Sequence, residues 1–114
     1  MSVSPEKNYE IGQLLDLYGR LLSDRQREIT DLYYNDDLSL SEVAEECGIT
    51  RQGVREGLVK AEAQLLRCEE ALGLLQRQRE NRRIVGSMRA EIEGLRAEGA
   101  DLSKLEALLS RLSL

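Results

Sequence analysis

From Ser39 to Leu58 the chain reads SLSEVAEECGITRQGVREGL, and the fold is decided there. Ser39 and Glu42 stand at the spacing of a capping box, in which each side chain satisfies a backbone N–H that a helix start leaves unpaired. A short helix therefore opens at Leu40 and reaches Cys47, offering Leu40, Val43, Ala44 and Cys47 to a core. Gly48 can take the left-handed conformation that ends a helix. Ile49 then seals the corner, Thr50 caps a second helix, and Val54 and Leu58 anchor it, while Ala44 lets the two helices cross at close range. This is the pattern of a helix-turn-helix.

In that motif the second helix presents its N-terminal outward positions to a groove, which here are Thr50, Arg51, Gln52, Arg55 and Glu56, with Val59 and Lys60 beyond. Arg and Gln can each make bidentate contacts with base edges, and a helix N-terminus with Thr50 suits a phosphate. Helix pairs of this shape also serve as plain corners in proteins that never touch nucleic acid. Glu42, Glu45 and Glu46 on the first helix would oppose a phosphate backbone. Gly53 and Gly57, in the first turns of the second helix, each cost about 1 kcal/mol against alanine. They either permit close backbone approach or leave that end loose.

Working outward, Ile11, Leu14, Leu15, Tyr18, Leu21 and Leu22 recur at helical spacing and predict a first helix over about residues 9–22. Ser23 and Gln26 repeat the capping-box spacing and open a helix from Asp24 to about Tyr34, which Asn35, Asp36 and Asp37 close. Downstream, Val54, Leu58, Ala61, Leu65, Cys68, Leu72 and Leu75 make a heptad stripe, predicting one helix from Arg51 to about Arg83. At 1.5 Å per residue it would run about 50 Å, longer than a small domain is wide. A break is expected around Gly86 and Ser87, and a last helix at Ser103, where Ser103 and Glu106 repeat the capping-box spacing. The expected class is all-α, with a helix-turn-helix domain over 1–66 and a continuation of the long helix with C-terminal helices over 67–114.

Composition agrees: Pro occurs once and Phe and Trp are absent in 114 residues, which starves a sheet of the residues it prefers. No apolar run is long enough to span a membrane, and residues 1–5 are too short and polar for a secretory signal, so a cytosolic protein is expected. Cys47 and Cys68 form no Cys-x-x-Cys pair and there is no histidine, which leaves no zinc site, no cofactor motif and no proton shuttle near neutral pH. Catalysis has no support.

The formal net charge of −5 is uneven. Residues 1–50 hold four basic and eleven acidic side chains, residues 51–89 nine and five, and residues 90–114 three and five. Nucleic-acid contact is therefore expected from the middle, where Arg77, Arg79, Arg82 and Arg83 form its densest basic segment. The alternative is a solvated helix face. Leu65, Leu66, Leu72, Leu74 and Leu75 lie beyond the compact helix-turn-helix and predict a homodimer interface, unless the C-terminal helices fold back over them.

Tyr18-Gly19, Leu21 to Arg27, Leu32-Tyr33-Tyr34, Asp36 to Glu46 and Ile49 to Val54, taken in order, resemble the YlxM family. The similarity covers about Glu10 to Leu75. It implies a fold related to the fourth region of bacterial sigma factors, a cytoplasmic location and a regulatory role in the signal recognition particle pathway. The helix-turn-helix positions it carries over are Val43, Ala44, Gly48, Ile49 and Val54. The leading expectation is thus a non-enzymatic adaptor of the signal recognition particle, binding its protein or RNA components. A DNA-binding transcription regulator and an oligomeric helical scaffold are the alternatives.

Overall fold

Asn8 accepts backbone N–H groups from Glu10 and Ile11 on its side-chain oxygen and so starts α1, Tyr9–Tyr18. The computed structural model describes residues 8–112, and the expectation for residues 1–5 lies outside that range. After α1 the chain tightens into a 3₁₀ turn, Gly19–Leu21. The capping box of Ser23 and Gln26 forms as expected and opens α2, Asp24–Thr30. Instead of running evenly to Tyr34, the helix widens into a π turn over Asp31–Asn35, with the Asp36 N–H donating to the Asp31 carbonyl at 3.0 Å. The Thr30 hydroxyl donates to the Gln26 carbonyl at 2.7 Å just before the widening, a side-chain bond that competes with the regular helical ladder.

The second capping box, Ser39 with Glu42, opens α3, Leu40–Cys47. Gly48 stands at φ 67° and ψ 34°, which ends α3, and Thr50 accepts the Gly53 N–H at 2.9 Å to start α4, Arg51–Leu72. The expected continuous helix to Arg83 is not formed. Gly73 takes φ 63° and ends α4, and α5, Leu74–Ala97, starts anew. Nor does the chain break at Gly86 and Ser87, since α5 passes straight through them. Gly99 at φ 93° closes α5, and α6 spans Ser103–Ser110. Its expected capping box does not form either: the Asp101 carboxylate takes both the N–H and the hydroxyl of Ser103. All helices and no strands among the described residues make the class all-α.

The chain divides into two units, Met1–Leu75 and Gln76–Leu114. The first extends past residue 66, the boundary expected from the sequence, because Cys68 and Leu75 help to complete its core. That core has two clusters. In one, Ile11, Leu14, Leu15, Tyr18 and Leu22 pack on Ala61, Leu65, Cys68 and Leu75. In the other, Ile29 and Tyr33 meet Leu40, Val43 and Ala44 of α3 and Val54 and Leu58 of α4. Every residue of the heptad stripe except Leu72 is therefore consumed inside the unit. Gly57 is part of the reason α2 and α4 can approach, since a Cβ there would lie 2.9 Å from Ile29 Cδ1.

In the second unit α5 and α6 form a hairpin. Ile92 and Leu109 are its buried apolar residues, and Arg96 bridges to Glu93 at 2.7 Å and to Glu106. No described helix is long and apolar enough to cross a membrane.

Candidate functional site

The corner between α3 and α4 is held by backbone hydrogen bonds that cross the turn and by the core beneath it. Ile49 N–H donates to the Ala44 carbonyl at 3.1 Å and Val54 N–H to the Thr50 carbonyl at 3.0 Å. Val43, Val54 and Leu58 are fully buried beneath it. This fixes the start of α4 with Thr50, Arg51, Gln52, Glu56, Val59 and Lys60 exposed. Gln52 Nε2 donates to Glu56 Oε1 at 3.4 Å along the helix. A polar edge with one guanidinium, one amide and a capped helix N-terminus is thus presented to a partner.

Arg55 departs from that edge. It is only partly exposed, its Nε is buried without a protein hydrogen-bond partner, and its charge reaches the Tyr33 hydroxyl. Arg55 is therefore both a packing residue and a charge, and the expectation that it belongs purely to the outer face is corrected. On the neighbouring helix Glu42, Glu45 and Glu46 are exposed and, with Leu38, line a shallow hollow of about 450 Å³. The exposed surface of the corner is mixed in charge: cationic on α4, anionic on α3.

Arg77, Arg79, Arg82 and Arg83 all lie exposed on α5, in the second unit. Helical spacing sets Arg79, Arg82 and Arg83 on one face and Arg77 nearly opposite. Arg83 pairs with Glu80, Nε to Oε2 at 3.2 Å. The segment is a stripe of three with one outlier, not a four-residue cluster.

The five leucines do not form one surface. Leu65 and Leu75 are 0% and 2% exposed in the first core, so they are unavailable to a second chain, whereas Leu66, Leu72 and Leu74 are exposed. The reason is the turn at Gly73, which returns Leu75 to α1 after Leu72 has left the buried face.

One polar constellation escaped the sequence reading. Tyr18 Oη donates to Glu69 Oε1 at 2.7 Å and accepts the Leu74 N–H at 3.0 Å, and Glu69 Oε1 also accepts the Leu75 N–H at 3.0 Å. Two side chains 51 positions apart thereby satisfy the first backbone donors of α5. The Leu-Gly-Leu of residues 72–74 was the available signal for the break. A parallel bond joins Tyr34 Oη to Glu62 Oε2 at 2.6 Å.

Burial, reinforced by the neighbouring carboxylates, raises the hydroxyl pKa of Tyr18, Tyr33 and Tyr34 above the ordinary value of 10. A group whose folded-state pKa is raised contributes stability that is present below its unfolded pKa and lost as pH rises toward its folded one. We expect the melting temperature to fall as pH climbs beyond 10. Replacing Tyr34 with Phe should blunt that fall when melts are followed by circular dichroism across the alkaline range.

Comparison with known sequences places this geometry among relatives. Residues 5–105 match the model of the UPF0122 family, described as "Putative helix-turn-helix protein, YlxM / p13 like". A UPF0122 protein of Acetivibrio thermocellus is 51% identical over 79 residues, which is 68% of this chain and 68% of that one. A UPF0122 protein of Bacillus cereus strain AH187 is 43% identical over 84 residues, covering 74% of this chain and 76% of its own length. One from Bacillus anthracis strain A0248 matches to the same extent.

Proposed function

The chain belongs to the UPF0122 family of YlxM/p13-like helix-turn-helix proteins, and from that premise we propose that it is a non-enzymatic, cytoplasmic regulatory adaptor of the signal recognition particle pathway. The observation that carries this reading is the mixed charge of the binding edge. Arg51 and Gln52 stand exposed at the start of α4, and the carboxylates of Glu42, Glu45 and Glu46 stand exposed on α3, the helix that precedes it in the corner. A uniformly anionic duplex would be attracted by one side and repelled by the other. A protein surface that presents both signs can satisfy both. The signal recognition particle itself enters through the family resemblance, and its protein components are the partners this edge suits best.

The second reading, a DNA-binding regulator, draws on the intact corner and on the Thr50-capped N-terminus of α4, which could hold a phosphate. One experiment separates the two. The parent protein and the double variant Arg51→Ala, Gln52→Ala are used to capture partners from bacterial cytosol, with and without ribonuclease, and are titrated with random and genomic DNA. An adaptor retains signal recognition particle components, loses them in the variant, and shows no preferred DNA sequence. A regulator selects DNA and loses discrimination by about 1–3 kcal/mol per lost base contact. Both side chains are exposed, so the variant should melt like the parent.

A further inference from the structure

The α5–α6 hairpin leaves an apolar groove of about 590 Å³ open on one side. Met88 and Ile92 of α5 line it, together with Leu105, Leu108, Leu109 and Leu112 of α6. Met88 is 47% exposed and Leu108 57%. Two helices cannot enclose a core by themselves, and bundles solve this by adding further helices on the open side.

The rims say which helices those are. Glu91 lines the groove on the α5 side. On the α6 side Lys104 and Arg111, seven apart, stand together beside Leu108. The levels of these charges are fixed by the hairpin's own register. Arg96 Nε donates to Glu106 Oε1 at 3.1 Å, and in an antiparallel pair each step back along α5 matches one step forward along α6. Glu91 is thus level with Arg111. One rim is acidic, the other basic, at matching heights.

Such a groove is complementary to itself. A two-fold axis along the groove lays α5 of one copy over α6 of the other without changing levels. Glu91 then meets the partner's Arg111. A two-fold axis across the groove would instead set carboxylate against carboxylate. We propose that this groove seats a second copy of the chain, so that the two hairpins form a four-helix bundle with both apolar faces inside. The interface lies on Met88, Ile92 and the α6 leucines, not on the leucines of residues 65–75.

Sedimentation equilibrium on the full chain tests this. The parent should be a dimer at micromolar concentration. Glu91→Arg and Arg111→Glu each turn two facing attractions into repulsions and should raise the dissociation constant by roughly tenfold. Mixing the two variants should restore association, because one then carries cations and the other anions at both positions 91 and 111. Leu108→Glu, at an exposed position, should give a monomer with unchanged helicity. The proposal is overturned by a monomeric parent, by a mixture that associates no better than either variant alone, or by a dimer that survives Leu108→Glu and is lost on Leu72→Glu.

Discussion

Replacing Glu69 with Ala is expected to destabilise the first unit by about 2–4 kcal/mol, since one backbone N–H and one buried hydroxyl depend on one carboxylate oxygen. Without it the Leu75 N–H has no acceptor and the Tyr18 hydroxyl, 1% exposed, loses the group it donates to. A buried donor left unmatched costs about 1–3 kcal/mol, more than the net worth of an ordinary hydrogen bond. Glu69→Gln keeps an acceptor oxygen in place and should lose much less. Urea denaturation followed by circular dichroism compares the two directly. Equal midpoints for the alanine variant and the parent would mean that the start of α5 is held by apolar packing of Leu75 alone.

Gly57→Val is the second large effect, with an expected cost of about 1–3 kcal/mol from overpacking. Valine is a better helix former than glycine, so propensity alone predicts a gain of a few tenths of a kcal/mol. The close approach reverses the sign. A Cβ at position 57 would stand 2.9 Å from Ile29 Cδ1, and Ile29 is itself 2% exposed, with little room to yield. Gly86, on α5, is the control, because a Cβ there meets nothing within 4 Å. Gly86→Ala should stabilise its helix by up to about 1 kcal/mol. If Gly57→Val melts no lower than the parent, α2 and α4 can separate without loss, and the corner is softer than its geometry indicates.

The parts of the fold that could be read from the sequence are those governed by neighbours in the chain. Ser23 with Gln26, Ser39 with Glu42, Gly48 and Thr50 each act within a few residues, and each does in the structure what its local chemistry dictates. The errors arise where a distant group intervenes. Periodicity carried the heptad stripe across Gly73 because Leu75 falls on the expected count. The helix nevertheless stops there, and what makes the stop tolerable is Tyr18, far upstream, supplying partners to the next helix. Ser103 was read as a cap by spacing alone, but Asp101 competes for it at closer range. Glycine at 86 was read as a break, yet an exposed helical glycine costs little when no side chain or turn claims the freed backbone.

The candidate edge followed the same division. Thr50, Arg51 and Gln52 are outward by the geometry of the corner, whereas Arg55 is only partly exposed with its Nε buried, which no spacing rule announces. The carboxylates of α3 were visible as a difficulty for phosphate binding. Their exposure on α3 beside a cationic start of α4 is what the proposed reading uses.

The division of the first core into two clusters also sets an order of events on the ribosome. Everything in the cluster around Val54 lies between Ile29 and Leu58, so the helix-turn-helix can close while the rest of the chain is still being made. Helix α1, though synthesised first, packs on Ala61, Leu65, Cys68 and Leu75, so its apolar face waits until those residues emerge. At roughly 5–20 residues per second that wait lasts seconds. During that interval the nascent chain displays a folded recognition corner preceded by an uncovered amphipathic helix.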